Sequence, residues 1–180
     1  YSNIYLGHSA GLSQGVLGNA NHNIALGSQA GQANSSGVGN IFIGKKTGNC
    51  QTTASRSIFI GCYAGRYRLT GNNNIAIGYL ALCGSSTFSS NTGYVNLAIG
   101  SEAGREITTG NYNVLFGNLT GKCITTGSNN VILGPQAGTN FTTGSYNIVL
   151  GTAACLSGTA TGNQNILMGT FAARCINGAA

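Results

Sequence analysis

Asn147-Ile148-Val149-Leu150-Gly151 decides the fold, because versions of it occur ten times in a chain of 180 residues. The others begin at Asn3, Asn23, Asn40, Ser57, Asn74, Asn96, Asn113, Asn130 and Asn165, and Ser57 alone breaks the first column. Successive starts lie 20, 17, 17, 17, 22, 17, 17, 17 and 18 residues apart. A fixed period in this range marks a repeat architecture. A short apolar run bounded by Asn and Gly reads as a strand. A 17-residue unit is also too short for a helical-hairpin repeat. The pattern predicts an all-β fold, a parallel β-solenoid (β-roll or β-helix) of about ten 17-residue coils, as one domain over residues 1–180.

The three longer intervals place insertions near 12–20, 84–92 and 156–161. Insertions in repeats map to loops and often lie on the binding side, which makes Phe88, in a serine-rich stretch, a candidate ligand contact. The Gly that closes each run calls for a tight bend or a close backbone approach. Three residues later stands Ala or Thr in every repeat, a column expected to face a cramped interior. The Asn column suits either an amide ladder between coils or ten separate turns. Segments such as Thr109-Gly110-Asn111 are expected to form a corner, with Gly at positive φ.

Alternate residues of a strand face opposite sides. With Ile148 and Leu150 assigned inward, the strand-centre column points outward. It is nevertheless apolar in every repeat: Tyr5, Ala25, Phe42, Phe59, Ala76, Ala98, Leu115, Ile132, Val149 and Leu167. A strand with one solvated face should alternate apolar and polar. The doubled apolar pattern predicts that this column is an oligomer interface, in a parallel homotrimer around a common axis. The alternative is a wide solenoid whose own second sheet covers that face.

The composition offers little for catalysis. Glu102 and Glu106 are the only carboxylates, so paired acid/base chemistry has almost no material. His8 and His22 lack the spacing of a metal site, and the glycines follow the structural period, so they do not suggest a phosphate loop. The chain is expected not to be an enzyme and to use no cofactor. The net charge is +6, and Lys45, Lys46, Arg56, Arg66 and Arg68 cluster in the third and fourth repeats. Such a patch attracts acidic glycans; Lys45, Lys46, Arg66 and Arg68 join Phe88 as candidate contacts. Nucleic acid would require a denser stripe and a recognisable module. No apolar run approaches the length of a membrane helix, so no membrane insertion is expected.

Of six cysteines, Cys155 and Cys175 lie in adjacent coils and form the best candidate disulfide, with free thiols as the alternative. Asn34, Asn118 and Asn140 head glycosylation sequons, which chance also supplies in so Asn- and Thr-rich a chain. Aligned threonines at Thr109, Thr126 and Thr143 leave ice binding as a minor alternative. The chain begins at Tyr1 within a repeat, as expected for a processed product or part of something longer.

Units such as Asn72-Asn73-Asn74-Ile75-Ala76-Ile77-Gly78 and Asn96-Leu97-Ala98-Ile99-Gly100-Ser101-Glu102-Ala103-Gly104 resemble the head repeats of trimeric autotransporter adhesins. They also resemble the repeat shafts of phage and giant-virus fibres, where Thr-Thr-Gly-Asn/Ser units recur. The longer coil and the Thr-Gly corners favour the fibre shafts. Either resemblance implies parallel β-coils in a trimer, attachment to surfaces and no catalysis in the repeat. A structural segment of an extracellular or virion fibre or filament is therefore expected, located outside the cell, on its surface or on a virion. Its partner would be itself, as a homotrimer or end to end. The alternative is an adhesin whose rod binds glycan or matrix, with a polysaccharide-processing β-helix a distant third.

Overall fold

The computed structural model describes residues 2–13, 20–86, 91–155 and 161–173. It is an all-β parallel solenoid of about nine turns, with no helix among the described residues. The strands are β1 (Ile4–Leu6), β2 (Ile24–Leu26), β3 (Ile41–Ile43), β4 (Ile58–Ile60), β5 (Ile75–Ile77), β6 (Leu97–Ile99), β7 (Val114–Phe116), β8 (Val131–Leu133), β9 (Ile148–Leu150) and β10 (Ile166–Met168). They form one sheet in sequence order, each pairing in parallel with the next and in register with the repeat. At about 4.8 Å per strand, nine steps make a rod of roughly 43 Å.

Among the described residues only these segments are strands, yet the rest of each coil is also hydrogen-bonded to its neighbour. Gly121 N donates to Ala137 O at 2.9 Å, Cys123 N to Thr139 O at 3.0 Å and Thr125 N to Thr142 O at 2.8 Å. The backbone is thus satisfied by stacking rather than by long strands.

The asparagines form a ladder. Asn130 Nδ2 donates to Asn113 Oδ1 at 3.0 Å and to Gly144 O at 2.9 Å. Its own Oδ1 accepts from Asn147 N and Asn147 Nδ2, both at 3.0 Å. The Asn130 carboxamide thereby joins three coils, as those of Asn23, Asn96, Asn113 and Asn147 also do. At Ser57 the ladder narrows: Asn74 N still reaches Ser57 Oγ at 3.3 Å, and Asn74 Nδ2 bonds both Gly71 O and Gly93 O at 2.9 Å. A second ladder of Asn and Ser runs with the opposite polarity. Tyr94 N donates to Asn111 Oδ1, Asn111 N to Ser128 Oγ and Ser128 N to Ser145 Oγ.

The strand-centre column fills the interior of the single chain, which corrects the predicted interface. Ala25, Phe42, Phe59, Ala76, Ala98, Leu115, Ile132 and Val149 are all buried, and Tyr5 and Leu167 pack against them from the end coils. The cause is the sense of the pleat: the middle residue of each three-residue strand points in, so its two neighbours point out. The interior is completed by the expected small column, including Ala30, Ala64, Ala103 and Ala137, and by Ile107, Ile124 and Phe141. Opposite the large centres stand glycines: a Cβ on Gly48 would lie 2.6 Å from the Phe42 ring. Where the centre shrinks to Ala76, that glycine column holds Leu82, which is fully buried.

The corner chemistry also differs from expectation. Gly110, Gly127 and Gly144 do not have positive φ; each is required because a Cβ would collide with the carbonyl of the glycine in the next coil. Positive φ falls instead on side-chain-bearing columns, such as Tyr112, Asn129 and Tyr146, with φ between 57° and 61°. The closing glycines satisfy both expectations: Gly134 has φ 128°, and its Cβ would sit 2.7 Å from the Gly151 carbonyl.

Replacing Asn130 by Ala strands Asn147 N and Gly144 O inside the rod, at roughly 1–3 kcal/mol for each unsatisfied group. Thermal melts followed by circular dichroism should show a clear loss of stability for Asn130→Ala. Asn130→Ser should be milder, because Ser57 already sustains the stack at the same column. Equal melting of all three chains would remove the ladder from the energetics.

Candidate functional site

Two features of the surface stand out. The first is the outward face of the sheet, built from the residues that flank each strand centre. It comprises Ile4 and Leu6, Ile24 and Leu26, Ile41 and Ile43, Ile58 and Ile60, Ile75 and Ile77, Leu97 and Ile99, Val114 and Phe116, Val131 and Leu133, Ile148 and Leu150, and Ile166 and Met168. No polar side chain interrupts it. Phe116 is 56% and Ile148 39% exposed, whereas Leu115 and Val149 between their flanks are fully buried. Tyr112 and Tyr146 stand exposed one residue before the ladder asparagines, beside this face.

The second is a polar cleft of about 330 Å³ where the fifth coil departs from the 17-residue spacing. Arg66, Tyr67, Leu80, Cys83, Gly84, Ser85, Ser86, Arg105 and Glu106 line it. Asn91 closes the base of the insertion: its Oδ1 accepts from Ser85 N at 3.0 Å and its Nδ2 donates to Ser85 O at 2.6 Å. The Arg66 guanidinium lies over the rings of Tyr63 and Tyr67, at 5.0 and 4.6 Å. Arg105 instead faces carboxylates, with Glu102 at 2.9 Å and Glu106 at 3.7 Å. Lys122 meets Glu102 at 3.1 Å, and its hydrogen bond leads the effects that hold the Glu102 carboxyl below its usual range. Both acids are thus engaged in ion pairs on the surface.

The candidate basic residues separate. Lys45 is exposed and Lys46 half-buried, whereas Arg68 is completely buried and absent from the surface patch. Its Nη1 donates to Ile107 O and Thr108 O, both at 3.2 Å. In regular coils the equivalent carbonyl takes two backbone N–H groups, as Thr52 O does from Ser35 and Ser36. At the insertion Thr108 O receives Gly93 N and the Arg68 guanidinium instead. Arg68 therefore bridges a gap in the stack. Burial lowers its pKa to about 10, which leaves it charged at neutral pH. Phe88 lies outside the described residues.

Among the described residues Cys50, Cys62, Cys83, Cys123 and Cys155 form no disulfide with one another; Cys175, and with it the candidate pair with Cys155, lies outside the described residues. Burial pushes the Cys83 thiol up to about 11, so it stays protonated and a poor nucleophile at neutral pH. Among the described residues no group of three or more His, Cys, Asp or Glu is placed to hold a metal. The Asn34 sequon is folded inward, with the side chain bonded to Gly37. Thr109, Thr126 and Thr143 form an exposed file, but Thr108 and Thr125 spend their hydroxyls on carbonyls of the next coil.

The role of Arg68 is testable. Arg68→Met keeps most of the volume and removes a costly buried charge, so its melting temperature should stay close to the parent's. Arg68→Ala opens a cavity and should cost about 3 kcal/mol or more in urea unfolding. If the Met variant were as damaged as the Ala variant, the two carbonyl bonds would outweigh the volume.

Comparison with family models, with curated proteins and with solved structures gives no match, so the functional reading rests on the residues themselves.

Proposed function

We propose that this chain is a structural rod: a shaft segment of an extracellular or virion fibre that associates with copies of itself through the outward face of its sheet. The observation that carries this reading is the uninterrupted apolar ladder from Ile4 to Met168, whose side chains are half-buried to exposed on the single rod, with the end coils the most open. A contiguous apolar patch of this size marks an interaction surface. The flat strand face spans roughly 43 Å by 10 Å, or about 430 Å². A stable interface needs about 800 Å² of accessible surface per partner, so the contact must take in the flanks, including Tyr112 and Tyr146. A parallel three-rod bundle does so, because each rod meets two neighbours across a shared axis and uses both flanks. The resemblance to trimeric fibre shafts favours the same arrangement. Every coil repeats the same contact, so association stiffens the rod along its length.

The adhesin reading, in which the rod surface binds glycan, draws on the polar cleft beside the fifth coil. No strand residue lines that cleft, so the two roles are compatible.

Sedimentation equilibrium on the intact chain tests the assembly. The expected mass is that of three 18.2 kDa chains. Ile60→Lys with Ile77→Lys puts two charges at the centre of the face, at side chains that already point outward. Both parent residues are already half-buried in the rod, so covering what remains of each contributes only part of the roughly 1.5–3 kcal/mol of a full burial. Two unpaired charges in the same place oppose association more strongly, so the double variant should dissociate while retaining its dichroism spectrum. A parent chain that stays monomeric at micromolar concentration would overturn the proposal.

A further inference from the structure

We infer that the cleft beside the fifth coil binds an oxyanion carried on a small polar ring: the carboxylate of a uronic acid unit or the sulfate of a sulfated sugar. The inference extends the glycan-binding alternative and stands independently of the rod assembly. It starts from an imbalance of donors. Arg66 lines the cleft and has no carboxylate within ion-pair distance among the described residues. Arg105 adds a second guanidinium at the mouth, against the single lining carboxylate of Glu106.

Geometry sets the class of ligand. The rings of Tyr63 and Tyr67 hold the Arg66 guanidinium as a rigid fork, and a guanidinium fork matches a carboxylate or sulfate through paired N–H bonds. The cleft, about 330 Å³, is at the small end of ligand pockets. That space exceeds a bare ion and accepts one sugar ring, whose hydroxyls would meet Ser85, Ser86 and the backbone at Gly84, with Leu80 as the apolar floor. Among the described residues the cleft lies at the one coil bounded by a 22-residue interval, between Arg66 of the preceding coil and Arg105 of the following one.

Calorimetric titration of the intact chain with glucuronate, and in parallel with glucose, tests the assignment. Glucuronate should bind saturably and glucose should not. Arg66→Gln should weaken glucuronate binding about tenfold or more, the loss of one strong charge-assisted pair. Arg56→Gln, which removes a charge outside the cleft at a side chain bonded to Asn73, should leave binding unchanged. Arg105→Gln provides a second variant should Arg66→Gln melt early, and it should also weaken binding. Glucuronate affinity equal in the parent and both arginine variants, or equal heats with glucose, would overturn the assignment. Neither result bears on the mass of the assembly, so failure here and failure of the rod reading are distinguishable.

Discussion

Coil-to-coil hydrogen bonding is the interaction on which everything else depends. Each strand is only three residues long, too short to persist alone, and the remaining sides of the coil are turns. What holds them is a backbone that bonds to the coil above and below at nearly every position, with the asparagine carboxamides fixing the register. Such stacking requires carbonyls and glycines of neighbouring coils to approach more closely than any Cβ permits. The glycine columns follow from that requirement, and so does the 17-residue length of the coils without insertions.

A stack closed in this way leaves room inside for one row of side chains from each wall. Size is matched across the interior: the Phe42 and Phe59 rings lie against Gly48 and Gly65, and the column that holds those glycines carries the buried Leu82 in the coil of Ala76. Where the fifth coil lengthens, the stack loses a backbone donor and a buried arginine takes its place. The same disturbance opens the polar cleft. Apolar residues that the narrow interior cannot hold remain on the outer face, in unbroken succession from β1 to β10.

The architecture was legible in the sequence because the Asn and Gly columns report the stacking directly. Which strand face points inward was not, since all three positions are apolar and parity alone cannot choose. A finer signal was present. The centre column swings between Ala and Phe, and Leu82 replaces glycine where the centre is Ala76, as a confined packing site demands. The flanking columns hold medium and large apolar residues throughout, as a surface free of such compensation allows. Arg68 was hidden for a different reason: a charged residue in a basic stretch reads as surface. Yet its column continues through Ile107, Ile124 and Phe141, which are interior. The cleft depends on an insertion, and periodicity carries no information about the shape an insertion takes.

The central claim is that the outward ladder is covered in the native assembly while the strand centres are covered within each chain. Hydroxyl-radical footprinting of native material, read by mass spectrometry at Phe116 and at Met168, the sole methionine, tests it most directly. Both side chains are more than half exposed on the single rod, at 56% and 66%. The expected result is strong protection of both in the native assembly and rapid labelling once Ile60→Lys with Ile77→Lys separates the chains. Labelling of Phe116 and Met168 in native material at the rate seen in the separated variant would contradict the claim.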